Sequence, residues 1–368
     1  MVGVADISYI LCDIEKRVIK LPDIHHIGFD KWLISSALQK AIRRGETKQA
    51  VTLAANLWQT DKNALWRRIG VIALEDIGIA DISITTEALA ICAASQWRRK
   101  VGDLKIALYM VEQMANAVKS RAITHIYMQA ELNADFKTAR ENYAGLDVDS
   151  LTVIALKDKE DIINRAISLW YLAGGKLYPS NKLHHRDSDI HYAIDVIENL
   201  NAPFDLIQAC ILNLKKLRWP GALLAPLVCD VFSDLRPETK ENDIPTCETV
   251  EGLPLYGCDG LYTRTGKDCV KQWRIDCSEL SGYTLSQLGH ALFYTESDIL
   301  NSEFTSPELD ALKKESTQAS LLSTGIAINQ QSEFLSNVQR NMPHLNMLRA
   351  QVLKTEQKQT DLFMWGQS

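Results

Sequence analysis

The stretch GLPLYGCDGLYTRTGKD, residues 252–268, gathers Tyr256, Asp259, Tyr262, Thr263, Arg264 and Lys267 between glycines. Binding and catalytic groups concentrate on loops of this kind. A nucleic-acid-processing enzyme would use Asp259 as base or metal ligand and Arg264 as an anion clamp, with Tyr256 and Lys267 beside them. No second acid, nucleophile or metal set accompanies these residues, so the segment also reads as an ordered crossover pinned by an Asp–Arg pair. Cys247, Cys258, Cys269 and Cys277 lie in or beside it but lack the C-x₂₋₄-C knuckle of a zinc site. His184, His185 and His191 read as exposed histidines at a helix entry. Gly260 to Asp268 approaches a phosphate-binding loop, yet the spacing is wrong and no hydroxyl follows Lys267 to hold Mg²⁺. The reading is of a chain with no cofactor and no metal.

Three clusters combine basic and aromatic residues: Trp66-Arg67-Arg68, Trp97-Arg98-Arg99-Lys100 and Lys215-Lys216-Leu217-Arg218-Trp219. Arginine and lysine beside tryptophan suit contacts to phosphates and stacking on unpaired bases. The alternative places the tryptophans in the core and turns the arginines toward acids such as Glu75 and Asp76. A net charge of −6 excludes a uniformly basic nucleic-acid coat and leaves room for local basic patches.

The elements that carry these residues are helical. From Trp32, the stripes Leu33-Ala37-Ala41 and Ile34-Leu38-Ile42 define one helix, and Gly45 supplies a left-handed cap. A second helix, Thr47 to Trp58, is alanine-rich, and Thr60-Asp61 caps a third. On that third helix Leu65, Ile69 and Ile72 form one apolar row, and Trp66, Gly70, Ala73 and Ile77 the next. Glu75 and Asp76 then occupy the last turn before Gly78, where the helix dipole disfavours negative charge. They require a cation, with Lys40, Arg43, Arg44, Arg98 and Arg99 as candidates. Helical periodicity continues to Phe232 with breaks at Ala134-Asp135, Gly174-Gly175 and Asn201-Ala202-Pro203. Residues 233–265 hold Pro237, Pro245 and Pro254 and read as a long irregular loop. Ser306-Pro307-Glu308 starts a further helix, and Asn341-Met342-Pro343 marks a break. No region alternates with the β period, so the expected fold is all-α. The N-terminus lacks a secretory pattern, no apolar run is long enough to span a bilayer, and the eight cysteines show no paired spacing. A cytoplasmic protein without membrane contact is expected.

The segments SALQKAIRRGETKQAVTLAANLW and LWRRIGVIALEDIGIAD, with the helices to about Lys119, resemble the C-terminal region of the replication-associated recombination ATPases (the MgsA/RarA type), members of the clamp-loader clade. Ser36, Ala37, Leu38, Lys40, Ile42 and Arg43 match the first part of that pattern. Arg67, Arg68, Glu75, Asp76, Ile77 and Gly78 match the second. The resemblance implies a clamp-loader-collar-like oligomerisation module, tetrameric in that family, over residues 32–125. It does not extend to an ATPase core, because no G-x-x-x-x-G-K-[ST] occurs.

At the other end, Gln359-Thr360-Asp361-Leu362-Phe363 resembles the peptide by which bacterial proteins bind the DNA sliding clamp. Leu362 and Phe363 would fill an apolar pocket, with Gln359 and Asp361 at its rim. That role requires an extended, accessible tail; the alternative packs Leu362 to Trp365 onto the body. The organisation expected is a lead-in over 1–31, the module over 32–125, a second helical region over 126–235, a Pro/Gly/Cys-containing segment over 236–280, helices over 281–353 and an exposed tail over 354–368. Together these features describe a non-ATPase accessory protein of DNA replication or repair. It would be a homo-oligomer that binds the sliding clamp and contacts DNA. A processing enzyme using the Asp259–Arg264 loop and a helical scaffold are the other two classes.

Overall fold

The computed structural model describes residues 8–17 and 26–365, and beyond residue 356 the backbone alone. The fold is mainly all-α, as its periodicity requires: helices alternate with short turns throughout, and the described strands form two small two-stranded sheets. No helix among the described residues is long and apolar enough to cross a membrane.

Three hydrophobic cores organise the chain. The first is built by helices Ser8–Glu15, Lys31–Arg43, Thr47–Ile72 and Asp103–Asn116, and it takes in Leu253, Leu255 and Tyr256 from far along the chain and Leu353 from the last helix. The apolar stripes of Lys31–Arg43 face this core, and each fully buried Leu or Ile contributes about 2 kcal/mol of transfer free energy. Helix Thr47–Ile72 is two helices joined at a kink where Asp61 leaves helical geometry and its carboxylate caps the Ala64 N–H, the punctuation that Thr60-Asp61 predicts. The second core gathers helices Ala122–Leu132, Ile162–Ala173, Ile190–Ile197, Phe204–Leu217 and Gly221–Val231 around Trp170, Tyr171 and Tyr178. Leu74, Ile79 and Leu89 reach into it from the preceding segment. The third lies among helices Arg264–Asp276, Leu285–Leu292, Pro307–Ser323 and Ile328–Trp365, with Trp273, Phe334 and Leu345 inside.

The secondary structure departs from expectation in the lead-in, in the loop over 233–265 and along the last helix. The lead-in is not wholly irregular: helix Ser8–Glu15 buries Ile10, Leu11 and Ile14, a spacing too short to stand out as a period. The loop over 233–265 contains strand Glu238–Glu241, which pairs antiparallel with Ser302–Thr305, and the hairpin Thr249–Val250 with Leu253–Pro254. Asn341-Met342-Pro343 does not break the last helix, which runs Ile328–Trp365 with Pro343 inside it. Phe334 and Val338 before the proline and Leu345 and Leu353 after it are all buried, so packing on both sides holds the helix across a local defect. Ser306 caps helix Pro307–Ser323 through the Leu309 N–H, as its sequence requires.

Candidate functional site: a cationic, aromatic-walled cavity and a basic corner

One face of helix Lys31–Arg43 packs on the first core, and the other turns Trp32, Ser36, Gln39, Lys40 and Arg43 toward a cavity of about 580 Å³ where the three cores meet. Helix Thr47–Ile72 and its continuation contribute Arg68 and Glu75, and helix Ala122–Leu132 with the residue before it contributes Arg121, Thr124, Tyr127 and Met128. Trp219 closes one side. Asp259, Leu261 and Tyr262 close another, and His290, Phe293, Tyr294 and Ser320 complete the wall.

The cavity floor is an ion network around Asp76, whose side chain is wholly buried. Its Oδ1 accepts from Arg43 Nε at 2.6 Å and Arg121 Nη1 at 3.0 Å, and its Oδ2 from Gln39 Nε2 at 2.8 Å. Arginines from two other elements thus meet the acids that end the third helix. Gln39 Nε2 also donates to Glu75 Oε2 at 2.6 Å, and its Oε1 accepts from Arg68 Nη1 at 2.9 Å, so the amide relays between acid and arginine. Arg121 continues to Asp298 at 2.8 Å.

The backbone here is unusual on both sides. Residues Ala73–Ile77 and Phe293–Ser297 are each a single π-helical turn. Such turns recur at functional sites. The first places Asp76 between the arginines; the second lays the Phe293 ring under both guanidiniums, 5.9 Å from Arg43 and 4.9 Å from Arg121, and lets the Ser297 carbonyl accept from Arg43. Gly78 ends the first turn at φ 53°, where a Cβ would stand 3.0 Å from the Ser120 carbonyl oxygen.

Arg68 differs from its neighbours. It donates to Ser35 Oγ at 3.0 Å and to Gln39, yet no carboxylate stands within ion-pair distance among the described residues. Burial pushes its guanidinium down from the ordinary value, with Glu75 opposing. The cavity therefore carries a cation without a direct ion pair among the described residues, which Glu75 and Asp76 offset only from beyond that distance. His290 Nδ1 lies 3.0 Å from Ser320 Oγ, and burial lowers its pKa, which favours the neutral ring.

The predicted loop site does not assemble. Asp259 is buried, with Oδ2 at 2.7 Å from Lys40 Nζ and Oδ1 accepting from the Leu261 and Tyr262 N–H groups. Although burial raises its pKa, the Lys40 charge and these hydrogen bonds bring it down to about 2, so it is a poor base at neutral pH. The pinning cation is Lys40 and not Arg264. Tyr256 is buried and donates to Glu46, away from Asp259. Arg264 and Lys267 are exposed and line a second, more open groove of about 820 Å³, which shares Trp32, Leu261 and Tyr262 with the cavity. No three His, Cys, Asp or Glu side chains among the described residues are placed to hold a metal, and the four cysteines near the loop are not gathered.

The three basic-aromatic clusters, up to about 150 residues apart in sequence, converge at one corner. Arg98 lies 3.9 Å over the Trp66 ring and pairs with Asp103 at 3.0 Å. Lys216 Nζ donates to the Ala93 carbonyl at 2.9 Å. Leu217 packs so close to Gly70 that a Cβ there would stand 2.8 Å from it. Arg98 and Trp66 are thereby architectural. Arg67, Arg99, Lys100, Lys215 and Arg218 are exposed and make no ion pair within 4.0 Å among the described residues. Two clusters also split their neighbours between surface and cavity. Arg67 is outside and Arg68 inside; Arg218 is outside and Trp219 inside. The second division follows from Arg218 itself, which takes a left-handed φ of 51° and turns the chain between the two side chains.

The tail residues Gln359, Asp361, Leu362 and Phe363 have side chains outside the described residues, and the backbone through them continues helix Ile328–Trp365 where an extended segment was expected. The polar run LRAQVLKTEQKQ consists almost entirely of strong helix formers, which explains why the helix is not interrupted there.

No family model, curated protein or solved structure matches the chain. Sequence reading found Arg68, Glu75, Asp76 and Asp259 but missed Gln39 and Arg121 as their partners, Asp298 as the further partner of Arg121, and Tyr127, His290 and Phe293 in the cavity wall. A polar face at Trp32, Ser36, Gln39, Lys40 and Arg43 was the available signal, since those positions repeat on one side of a helix.

Proposed function

We propose that this chain is a nucleic-acid-binding accessory protein of DNA replication or repair, without ATPase activity. The observation that carries the reading is that the three segments bearing Arg67, Arg99, Lys100, Lys215 and Arg218 meet at one corner, with these five side chains exposed and without an ion pair among the described residues. Unneutralised cations on a chain of net charge −6 are a local electrostatic footprint for a polyanion. The process is supported by the resemblance of residues 32–121 to the replication-associated recombination ATPases. That resemblance also suggests homo-oligomerisation, which sedimentation would test. The Gln359, Asp361, Leu362, Phe363 tail offers a tether to the bacterial sliding clamp, and docking as an extended peptide would unwind the end of the last helix.

The test is titration of a labelled single-stranded oligonucleotide and a labelled duplex over a range of salt. Replacing Arg99, Lys100, Lys215 and Arg218 together by Gln removes up to four phosphate contacts. The slope of log affinity against log salt should then flatten by about 3 for a single strand. Wild-type protein with no salt-dependent binding to either ligand would end the reading. For the tether, purified clamp should bind the wild type and lose affinity for the Leu362→Ala/Phe363→Ala form; equal binding excludes that arm.

A further inference from the structure

The central cavity has the components of a ligand site that the ion network does not use. Trp32 and Tyr262 line it with 60% and 75% of their surface exposed, and neither ring stacks on another aromatic ring among the described residues; Lys31 Nζ stands 5.4 Å over the Trp32 ring and leaves its other face open. Large aromatics left in water at the rim of an enclosed space are available platforms. Deeper, Arg68 presents a guanidinium whose protein partners, Ser35 and Gln39, are neutral. Trp219 lines the same cavity, tilted against Tyr127 with ring centroids 5.9 Å apart. The space of about 580 Å³ is of the size small-molecule sites occupy.

We infer that this cavity binds one nucleoside monophosphate unit, its base stacked on Trp32 or Tyr262 and its phosphate on Arg68. An aromatic platform with an arginine that makes no direct ion pair among the described residues matches a ligand that is flat at one end and anionic at the other. Inorganic phosphate would use the arginine alone, and a nucleoside the rings alone, so the combination selects the nucleotide. The inference takes its ligand class from the nucleic-acid reading but rests on different residues. The pairs Arg67–Arg68 and Arg218–Trp219 run from the basic corner into the cavity, which suits a strand held at the corner with one nucleotide turned inward. A free nucleotide has the same chemistry.

Trp32 and Trp219 make the site its own reporter. Thymidine 5′-monophosphate is titrated into the full chain while tryptophan emission is followed, with thymidine and inorganic phosphate as comparison ligands. Saturable quenching is expected with the monophosphate, about tenfold tighter than with either component. Affinity should fall about tenfold in Arg68→Gln and in Tyr262→Ala, whose side chain is exposed enough to be removed without loss of fold. No saturable quenching, equal affinity for inorganic phosphate, or undiminished affinity in both variants overturns the inference. Displacement of the mononucleotide by an oligothymidine strand assigns the ligand to a strand; retention assigns it to a free nucleotide. The Arg99, Lys100, Lys215, Arg218→Gln form should keep mononucleotide affinity. Loss of strand binding therefore strikes the proposed function without touching the cavity, and loss of mononucleotide binding strikes the cavity alone.

Discussion

The cavity floor and the basic corner are both rich in arginine, and they treat it in opposite ways. On the floor, Arg43 and Arg121 are buried and bind Asp76 and, through Arg121, Asp298. At the corner, Arg67, Arg99, Lys100, Lys215 and Arg218 remain in water with no carboxylate within reach among the described residues. A buried charge must be matched because desolvation costs several kcal/mol for each ion. An exposed charge needs no match, so leaving several together unmatched costs little folding energy and keeps them free for an external anion. The floor is architecture. The corner is a surface kept open. Arg68 falls between the two, less exposed than the corner and without the ion pairs of the floor among the described residues, and that intermediate state marks the cavity as a site.

The sharpest break in this comparison is removal of the floor's anion. Asp76→Ala leaves Arg43 and Arg121 buried without their shared partner and removes one of the two acceptors of Gln39 Nε2. Destabilisation of about 3–5 kcal/mol is expected in urea unfolding. A change below about 1 kcal/mol would show that solvent already reaches these arginines.

How far the sequence makes this contrast legible depends on the range of the cause. The helices, the Asp61 and Ser306 caps and the Gly45 terminus are local and could be read directly. The need of Glu75 and Asp76 for a cation could also be read, because the dipole argument is local, but Arg121 as a partner could not: it lies 45 residues on, outside any periodic pattern. The π-helical turn at Ala73–Ile77 leaves no mark in the residues that form it. Asp259 was read as a possible base because its isolation in the loop is visible, whereas Lys40, 219 residues away, is what occupies it. The basic clusters were legible singly; their convergence depends on how helix Phe204–Leu217 packs against helix Ile82–Ala93.

A second test separates matched from unmatched charge by pH. Asp259 is held down to about 2 in the folded chain, against 3.8 ordinarily, so it contributes stability that is fully present above its unfolded pKa. As pH falls from about 5 through 2, folded and unfolded chains bind protons unequally and about 2 kcal/mol is lost. Asp259→Asn should flatten the acid limb of stability measured by thermal unfolding from pH 2 to 6. An unchanged acid limb would mean that Lys40 does not set this carboxylate.

The comparison can be drawn finer within one helix, Ser95–Val101. Arg98 stacks on Trp66, pairs with Asp103 and donates to the Cys92 carbonyl at 2.9 Å, while Arg99 beside it is exposed. Arg98→Ala should cost about 2 kcal/mol, the sum expected of a buried cation–π contact and charge-assisted hydrogen bonds. Arg99→Ala should cost almost nothing. Equal losses from the two would erase the line between architecture and surface at the corner.

The smallest folding effect is expected where the functional effect is largest. Replacing Arg99, Lys100, Lys215 and Arg218 together by Gln removes no ion pair among the described residues and opens no core, so stability should stay within about 0.5 kcal/mol of wild type. Relief of like-charge repulsion at the corner acts toward stabilisation, and loss of long-range attraction to the acidic remainder of the chain acts against it. Both are screened beyond a Debye length of about 8 Å at physiological salt. Polyanion binding has no such cancellation, because every removed cation is a phosphate left with its counterion. Urea unfolding and strand titration on the same preparation therefore discriminate sharply. A large loss of stability would place these four residues with Asp76 in the architecture, while unchanged stability with abolished strand binding would place them on the surface that the fold leaves open.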